Sequence, residues 1–241
     1  MKRILSLLVV LVLSLSLALT ACAESVSIKP GKTARLRNFL GTWVAVSVAV
    51  RDDADNKLDI NEYMTYFSYN VVPTLVIDKE SGWFSSEGNV FLLEVNGIAN
   101  NRLEMTDPNY SLEVFAEPGD GNMILFTQGR LVFEMIPGEL NQVTPDMLTG
   151  SSWNIADKFI YLGEVLDFDL ESSFTYSFND DMTFTSIVSD EEQHGTYEIY
   201  GNVIKCEYEN YLDFLTYVDD ELRMSIESED MHYSIVFARG E

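Results

Sequence analysis

Short runs of alternating apolar and polar residues, separated by polar turns, make up most of this chain. The pattern is clearest in residues 195–237, where apolar side chains at alternate positions fall on one face and polar side chains on the other. Such period-two alternation is typical of half-buried antiparallel strands. Gly201-Asn202 joins two of these runs in the manner of a two-residue hairpin turn. The pattern therefore predicts an antiparallel meander.

A weaker copy of the pattern precedes this region, and a tryptophan opens each copy, Trp43 in the first and Trp153 in the second. With a single offset, the turn Asn100-Asn101 of the first copy falls on Gly201-Asn202 of the second. Turn residues bound the predicted strands, which cover residues 74–77, 82–84, 90–95, 102–105, 112–115, 123–126, 130–136, 173–178, 182–187, 195–200, 203–208, 211–218, 222–226 and 232–237. Roughly seven strands in each copy suffice to close a small barrel with few open edges. We predict an all-β fold of two tandem small antiparallel meander barrels.

A short helix is predicted in the first unit. A β-branched strand follows Trp43, and a charged loop over residues 51–57 follows the strand. Apolar residues then recur at helical spacing, at Ile60, Tyr63, Met64 and Phe67. Asp59 precedes them as a candidate N-cap, with Glu62 three residues further on. We expect this helix after the first strand of unit one, lying across the end of a barrel.

The N-terminal segment has the pattern of a bacterial export signal. Lys2 and Arg3 precede an apolar run over residues 4–19, which is too short and wrongly flanked for a spanning helix. The following Leu19-Thr20-Ala21-Cys22 resembles the bacterial lipobox, whose cysteine becomes the N-terminus and carries a diacylglycerol and a fatty acyl chain such as palmitate. Ordinary cleavage at the small-x-small motif Ala21-Cys22-Ala23 is the alternative.

Composition divides the chain into four segments. Residues 1–21 are the predicted lipoprotein signal peptide, and residues 22–37 form a tether that is poor in apolar side chains. Residues 38–138 are unit one and residues 146–241 are unit two, with a Pro- and Gly-containing boundary between them. Cys22 is therefore the predicted lipid-attachment residue. The predicted location is extracytoplasmic, on the surface of the cell membrane of a bacterium.

The chain is strongly acidic, with 39 Asp and Glu against 15 Lys and Arg and a net charge of −24. Removal of Lys2 and Arg3 with the signal makes the charge still more negative. An acidic surface excludes nucleic acid and anionic head groups as partners bound through charge. The membrane is therefore expected as a partner through the lipid anchor alone. With Cys22 lipidated, Cys206 has no disulfide partner, and its alternating run predicts a buried small hydrophobe.

The first-strand motif Gly41-Thr42-Trp43, followed by a meander containing Gly195-Thr196-Tyr197, resembles bacterial lipocalin-like lipoprotein domains. In the second unit the motif has one extra residue, Gly150-Ser151-Ser152-Trp153. The resemblance implies that Trp43 and Trp153 pack across the closed end of each barrel, in a structural role. It also implies an open-mouthed cavity for small apolar molecules. Eight-stranded barrels can instead be filled by their own side chains.

An acidic stretch at residues 51–62 is similar to a calcium-binding EF-hand loop. Its candidate oxygen ligands are Asp53, Asp55, Asp59 and Glu62. However, Arg51 stands at the first ligand position and Asn56 replaces the turn glycine. An acidic loop that caps a helix is therefore favoured, and neither a metal nor another cofactor is predicted.

No motif for catalysis is present. His194 and His232 have no Cys or carboxylate pair at zinc spacing and are interpreted as surface histidines. The sequence has no nucleophile elbow, phosphate-binding loop or HExxH, so we predict that the protein is not an enzyme. Aromatic side chains with polar tips can line a ligand mouth or a protein-binding face, but ordinary strand propensity is the favoured explanation of two clusters here: Tyr63, Tyr66, Phe67 and Tyr69 in unit one, and Tyr208, Tyr211, Phe214 and Tyr217 in unit two.

Two functions fit these features. The first is an anchored lipocalin-like protein that binds a small apolar or amphipathic ligand inside a barrel. The second is a surface interaction protein with filled barrels that binds protein or glycan partners and no small ligand. A cavity of several hundred Å³ within a barrel would favour the first, and an exposed aromatic patch on filled barrels would favour the second.

Overall fold

The computed structural model describes residues 33–51, 53–127, 130–167, 173–227 and 231–240, with the backbone alone for residues 53–55. Within these residues the chain forms two closed antiparallel barrels in tandem, each of eight strands. The predicted all-β fold of two tandem meander barrels is confirmed. The predicted signal peptide and Cys22 lie outside the described residues.

Barrel one is a simple up-and-down meander. Its described strands are β1 (Gly41–Val50), β2 (Asp53–Asp59), β3 (Thr74–Ile77), β4 (Ser81–Ser86), β5 (Asn89–Ala99), β6 (Arg102–Asp107), β7 (Leu112–Pro118), β8 (Met123–Thr127) and β9 (Leu131–Pro137). The barrel closes because β1 pairs with both β3 and β9. Strand β2 folds back on β1 outside the closed barrel and leads into helix α1 (Ile60–Phe67).

Barrel two repeats this plan strand for strand. A four-residue helix, α2 (Pro145–Leu148), precedes it. Its described strands are β10 (Ser152–Tyr161), β11 (Glu164–Asp167), β12 (Phe174–Phe178), β13 (Thr183–Val188), β14 (Glu191–Tyr200), β15 (Val203–Glu207), β16 (Leu212–Val218), β17 (Glu221–Glu227) and β18 (His232–Arg239). Strand β10 pairs with both β12 and β18 and closes the barrel, while β11 folds back on β10 as β2 does on β1.

The sequence did not predict three of the strands, β2, β10 and β11. Most of the predicted charged loop over residues 51–57 belongs to β2, so the helix follows the second strand of unit one and not the first. Strands β10 and β11 were also missed. A register shift between Ile155 and Phe159 breaks the alternation of β10, and β11 is exposed along its whole length. Neither strand therefore shows the pattern of a half-buried strand.

The described chain begins inside the predicted tether. Ala34 is buried and donates its backbone N–H to Oδ1 of Asn101 at 2.7 Å. A 3-10 turn, Leu36–Asn38, then leads into β1. Ala34 and Leu36 of the predicted tether therefore already pack on barrel one. Among the described helices, none is both long and apolar enough to cross a bilayer.

Candidate ligand site between the barrels

Both barrels are filled by their own side chains. The interior of barrel two is aromatic, and six large side chains there are at most 3 % exposed: Trp153, Tyr176, Phe178, Phe184, Tyr197 and Phe237. Barrel one holds sulfur-containing, aliphatic and aromatic side chains at the same depth: Phe84, Leu103, Met105, Met123, Leu125, Phe133 and Met135. Close packing of this kind is normal for a small eight-stranded barrel.

The two tryptophans that open the units lie at equivalent places. The indole N–H of Trp43 donates to the carbonyl oxygen of Phe39 at 2.7 Å, and that of Trp153 donates to the carbonyl oxygen of Leu148 at 2.9 Å. Each acceptor lies in the segment just before the first strand of its barrel. Both indoles therefore bind the incoming chain to the barrel core, because a buried N–H needs a partner.

The barrels meet along a seam, defined here as the surface where residues 67–73 and 83–92 of barrel one face β15 to β18 of barrel two. Val71, Val90 and Val203 form a small buried cluster in the seam. Beside it, Trp83 and Tyr200 make an edge contact with ring centroids 5.9 Å apart. The seam is thus a packed interface between the two units.

Two cavities open at this seam. The first, of about 310 Å³, is called the His232 cavity, and the second, of about 380 Å³, is called the Tyr211 cavity. Residues of both barrels line each of them, and Leu212 of β16 lines both. Cavities of this size lie in the lower part of the range for small-molecule sites.

One wall of the Tyr211 cavity is the turn between β6 and β7 in barrel one. Asp107 is 1 % exposed, and its Oδ1 accepts the backbone N–H groups of Asn109 and Tyr110 at 2.8 and 3.2 Å. Its Oδ2 accepts the backbone N–H of Leu92 at 2.8 Å. These bonds fix the turn, since a buried carboxylate is stable only when its oxygens are hydrogen-bonded. The turn presents Tyr110, which is 50 % exposed, at the cavity rim.

The opposite wall is the turn between β15 and β16 in barrel two. Tyr211 is 44 % exposed and stacks on the buried ring of Tyr208, with centroids 4.0 Å apart and planes 17° apart. The hydroxyl of Tyr211 donates to Oε1 of Gln193. One face of the Tyr211 ring is therefore covered and held in place, and the other is open. Exposed Glu209 and Asn210 flank the ring on the same turn.

The His232 cavity lies where β16 and β17 separate. The two strands pair at three positions, from Val218 and Glu221 to Thr216 and Arg223, and then diverge. The equivalent strands β7 and β8 of barrel one pair at five positions. Side chains of barrel one line the gap, including Phe67, Tyr69 and Glu87. The cavity therefore reaches the lateral wall of barrel two and not its closed end.

Glu87 is a carboxylate of the His232 cavity whose pKa is raised. Burial raises the pKa of this carboxyl above its ordinary value, the hydrogen bond from the Tyr63 hydroxyl at 2.9 Å lowers it, and nearby Glu227 raises it. The net effect on the Glu87 pKa is upward. The His232 ring packs edge-on against Phe67 at 5.2 Å, and its Nδ1 is buried without a hydrogen-bond partner. His232 is thus half-buried, and its interpretation as a surface histidine was wrong because the seam that covers it is not visible in the sequence.

The other predicted site residues do not come together at the seam. Asp59 caps helix α1 by accepting the backbone N–H of Asn61 at 2.9 Å, and Glu62 is exposed. Residues 53–59 form strand β2, whereas a calcium loop winds around its cation. The side chains of Asp53 and Asp55 lie outside the described residues. In the described part of the chain, no group of three or more His, Cys, Asp or Glu side chains is placed to hold a metal ion.

Cys206 and His194 have environments that match their sequence interpretation. Cys206 is fully buried inside barrel two, and burial raises the pKa of its thiol. His194 is exposed beside Glu192, with Nε2 at 3.3 Å from the carboxylate. Neither side chain lines a seam cavity.

The sequence indicated one of the two rim tyrosines. Tyr211 belongs to the aromatic cluster of unit two, for which the sequence favours strand propensity over a binding role. Tyr110 was not noted, and the signal available was an exposed aromatic in a polar turn, Asp107-Pro108-Asn109-Tyr110. The sequence gives no sign that these two tyrosines line the same cavity, because they belong to different barrels.

Known proteins were compared with the chain by family, by sequence and by structure. No protein-family model matches the chain, and no curated protein matches it. Among solved structures, the chain is similar to a DUF3598-family protein of unknown function from Nostoc punctiforme. The likeness covers 87 % of this chain and 100 % of that one, with 11 % identity and a TM-score of 0.25. A TM-score of 0.25 is too low to indicate a shared fold or function.

Proposed function

We propose that this protein is a lipid-anchored, extracytoplasmic bacterial lipoprotein that binds its ligand at the seam between two lipocalin-like barrels. The observation that carries the proposal is the contrast between the barrel interiors, which are packed with side chains, and the seam, which contains both cavities described above. Ligand sites commonly lie between packed units, where both units contribute side chains.

The lipocalin-like part of the proposal is supported by the placement of Trp43 and Trp153 at the start of their barrels. A ligand inside a barrel has less support. Such a ligand would have to displace buried aromatic rings such as Tyr176 and Phe237, whose centroids are 5.3 Å apart. Removing close-packed contacts of that kind is costly. The seam needs no such displacement.

The anchor part of the proposal rests on the sequence of residues 1–22. Acyl chains on Cys22 would hold the two barrels at a membrane surface, because each buried methylene contributes about 0.8 kcal/mol to membrane binding. The strongly negative charge keeps the barrels soluble beside that surface. We keep the proposal to binding, since the sequence contains no recognised catalytic motif.

Native mass spectrometry of the chain from residue 23, produced without detergent, tests the seam. Leu212→Trp adds bulk at the residue shared by both cavities, so we expect it to abolish retention of a stoichiometric small molecule. Ile98→Trp is the matched control, because Ile98 is exposed and lies roughly 26 Å from Val90 along β5. Retention that is equal in the two variants would overturn the seam proposal.

A further inference from the structure

We infer that the Tyr211 cavity binds a saccharide. The inference rests on the proposed function, because it names the ligand class of a site between the barrels. It is carried by the arrangement of three features around one cavity: two supported but exposed tyrosines, a rim of neutral amides, and a shallow apolar floor.

The two tyrosines are held from behind and open in front. Tyr211 rests on Tyr208, and Tyr110 meets the ring of Phe91 edge-on at 5.7 Å. Both nevertheless remain among the exposed large hydrophobic side chains of the described residues. A pyranose ring has a flat face of C–H groups that packs on an aromatic ring, whereas its hydroxyls point outward to the rim. Rigid tyrosines suit this role because ordering them on binding costs little entropy.

The rim supplies hydrogen bonds of both kinds. Exposed Asn109 and Asn210 come from opposite barrels and line the same cavity. Each side-chain amide donates and accepts, as each sugar hydroxyl does. Glu209 adds an acceptor on the same rim. The backbone at Asn109 is fixed by Asp107, so part of this rim is already in place before a ligand arrives.

The charge of the cavity disfavours an anionic ligand. Glu207 and Glu209 lie at its wall, and Lys205 is the basic side chain among the described lining residues. The ammonium group of Lys205 is already paired, at 3.3 Å with Glu198 and 2.9 Å with Glu207. A neutral ligand therefore fits best. A wholly apolar ligand would leave the amide rim without partners, which is unfavourable once water is excluded.

The apolar floor and the volume of the Tyr211 cavity limit the length of the saccharide that can bind there. Val90 is buried at the floor and Leu92 lies beside it. A volume of about 380 Å³ holds a short segment of a glycan and not a long chain. The segment can be a free oligosaccharide or part of a polysaccharide, since both present the same rings.

Isothermal titration calorimetry of the chain from residue 23 tests the inference. The probes are chitotriose, cellotriose, maltotriose and mannotriose, with chitin and cellulose particles in a parallel sedimentation assay. We expect at least one of these saccharides to bind. Binding to a trisaccharide alone would indicate a free oligosaccharide as the ligand, and binding to particles would indicate a polysaccharide. Either result supports the saccharide inference, and no binding to any probe overturns it.

Three variants locate the bound saccharide. Tyr211→Ala is expected to weaken binding by roughly tenfold or more, as loss of an aromatic anchor does. Tyr211→Phe keeps the ring and is expected to stay within about threefold of the unmodified chain, because stacking is retained. Tyr161→Ala is the control, since Tyr161 is half-buried and lines neither cavity. Equal affinity for Tyr211→Ala and Tyr161→Ala would overturn the inference.

Failure of the saccharide inference can be told apart from failure of the proposed function. If native mass spectrometry finds a non-sugar molecule that Leu212→Trp releases and Tyr211→Ala retains, the seam site stands and the saccharide inference falls. If a saccharide binds and Tyr211→Ala does not weaken it, the saccharide inference falls, whereas the seam site falls only if Leu212→Trp and Ile98→Trp retain a bound molecule equally.

Discussion

The side-chain amide of Asn70 in barrel one donates to Oγ of Ser234 in barrel two at 2.7 Å. Ser234 is fully buried, and its own hydroxyl donates to the carbonyl oxygen of Ser68 at 2.7 Å. A single hydroxyl thus accepts from one residue of barrel one and donates to another. Because the Ser234 hydroxyl is buried, its two hydrogen bonds help to hold the barrels against each other at the seam.

Ser234→Ala is predicted to destabilise the protein. The substitution leaves the buried carbonyl of Ser68 without this donor, which typically costs about 1–3 kcal/mol in free energy of unfolding. Urea denaturation of the chain from residue 23 measures the loss. We also expect weaker binding at the seam, because the barrels lose a fixed contact.

Ser225→Ala is the matched control for that experiment. Ser225 also accepts from the Asn70 amide, at the longer distance of 3.3 Å, and is half-buried. It should therefore destabilise less than Ser234→Ala. The reverse order, or no loss for Ser234→Ala, would contradict the assigned role of Ser234.

Trp43→Phe and Trp153→Phe are each predicted to lower the free energy of unfolding. Each removes the indole N–H that satisfies a carbonyl, of Phe39 or Leu148 respectively. The unsatisfied carbonyl alone accounts for about 1–3 kcal/mol, and the smaller ring adds a packing defect. Chemical denaturation of the two variants gives the values.

Trp83→Phe serves as the comparison for the tryptophan variants. Trp83 is half-buried at the seam and contacts Tyr200 in an edge-on arrangement of the two rings. A phenyl ring keeps part of that contact, so we expect a smaller loss than at Trp43 or Trp153. A larger loss of unfolding free energy for Trp83→Phe would contradict the stabilising role assigned to the indole hydrogen bonds of Trp43 and Trp153.

Glu87 predicts a pH dependence of stability. Burial raises the pKa of this carboxyl above the ordinary 4.5, so the folded state holds the proton more tightly than the unfolded state. Its contribution is therefore complete below pH 4.5 and is lost as the pH rises through the raised folded-state value. Glu87→Gln keeps an acceptor for the Tyr63 hydroxyl but cannot ionise. The stability of this variant relative to the unmodified chain should increase from pH 4.5 toward neutral.

Thermal unfolding of both proteins across that pH range checks the Glu87 prediction. Taking the difference between them removes the contribution of groups that bind protons equally in both proteins. Glu139→Gln controls for the loss of an exposed charge. A difference that stays constant with pH, or that shrinks as the pH rises, would rule out the raised pKa.

Cys22→Ala is predicted to release the protein from the membrane fraction of the bacterial cell. The variant lacks the thiol to which acyl chains would attach, and the acidic barrels give no charge attraction to anionic lipid. Cys206→Ala is the control, because Cys206 is buried inside barrel two. Immunoblotting of the membrane and soluble fractions measures how each variant is distributed between them. Persistence of Cys22→Ala in the membrane fraction would exclude lipidation as the tether.

The sequence predicted most of the fold because alternation is a local signal. The hairpin at Gly201-Asn202 shows this well, since Ile199 pairs with Ile204 there and both lie on the apolar face. The equivalent pair in barrel one is Ile98 and Leu103, across the turn at Asn100-Asn101. Where the local pattern failed, as in exposed β11 and in β10 with its register shift, the strands were missed.

The candidate site was much less predictable than the fold. Tyr110 and Tyr211 lie about 100 residues apart in sequence and belong to separate barrels. The side chains line one cavity because residues of barrel one, among them Asn70 and Val71, pack on the outer wall of barrel two. The alternating apolar pattern of a strand identifies the side chains that face the interior of its barrel. The seam is formed by side chains that face outward, so the alternation does not predict how the two barrels pack.

A crystal structure of the chain from residue 23, grown with palmitate and with the trisaccharide that binds in calorimetry, tests the central claim most directly. The two probes offer a saccharide for the seam and an apolar chain for a barrel interior. We predict electron density for the trisaccharide against Tyr211 and Asn109, with both barrels filled by their own side chains. Density along the axis of either barrel, or a structure in which the seam holds neither probe, would contradict a ligand site between the barrels.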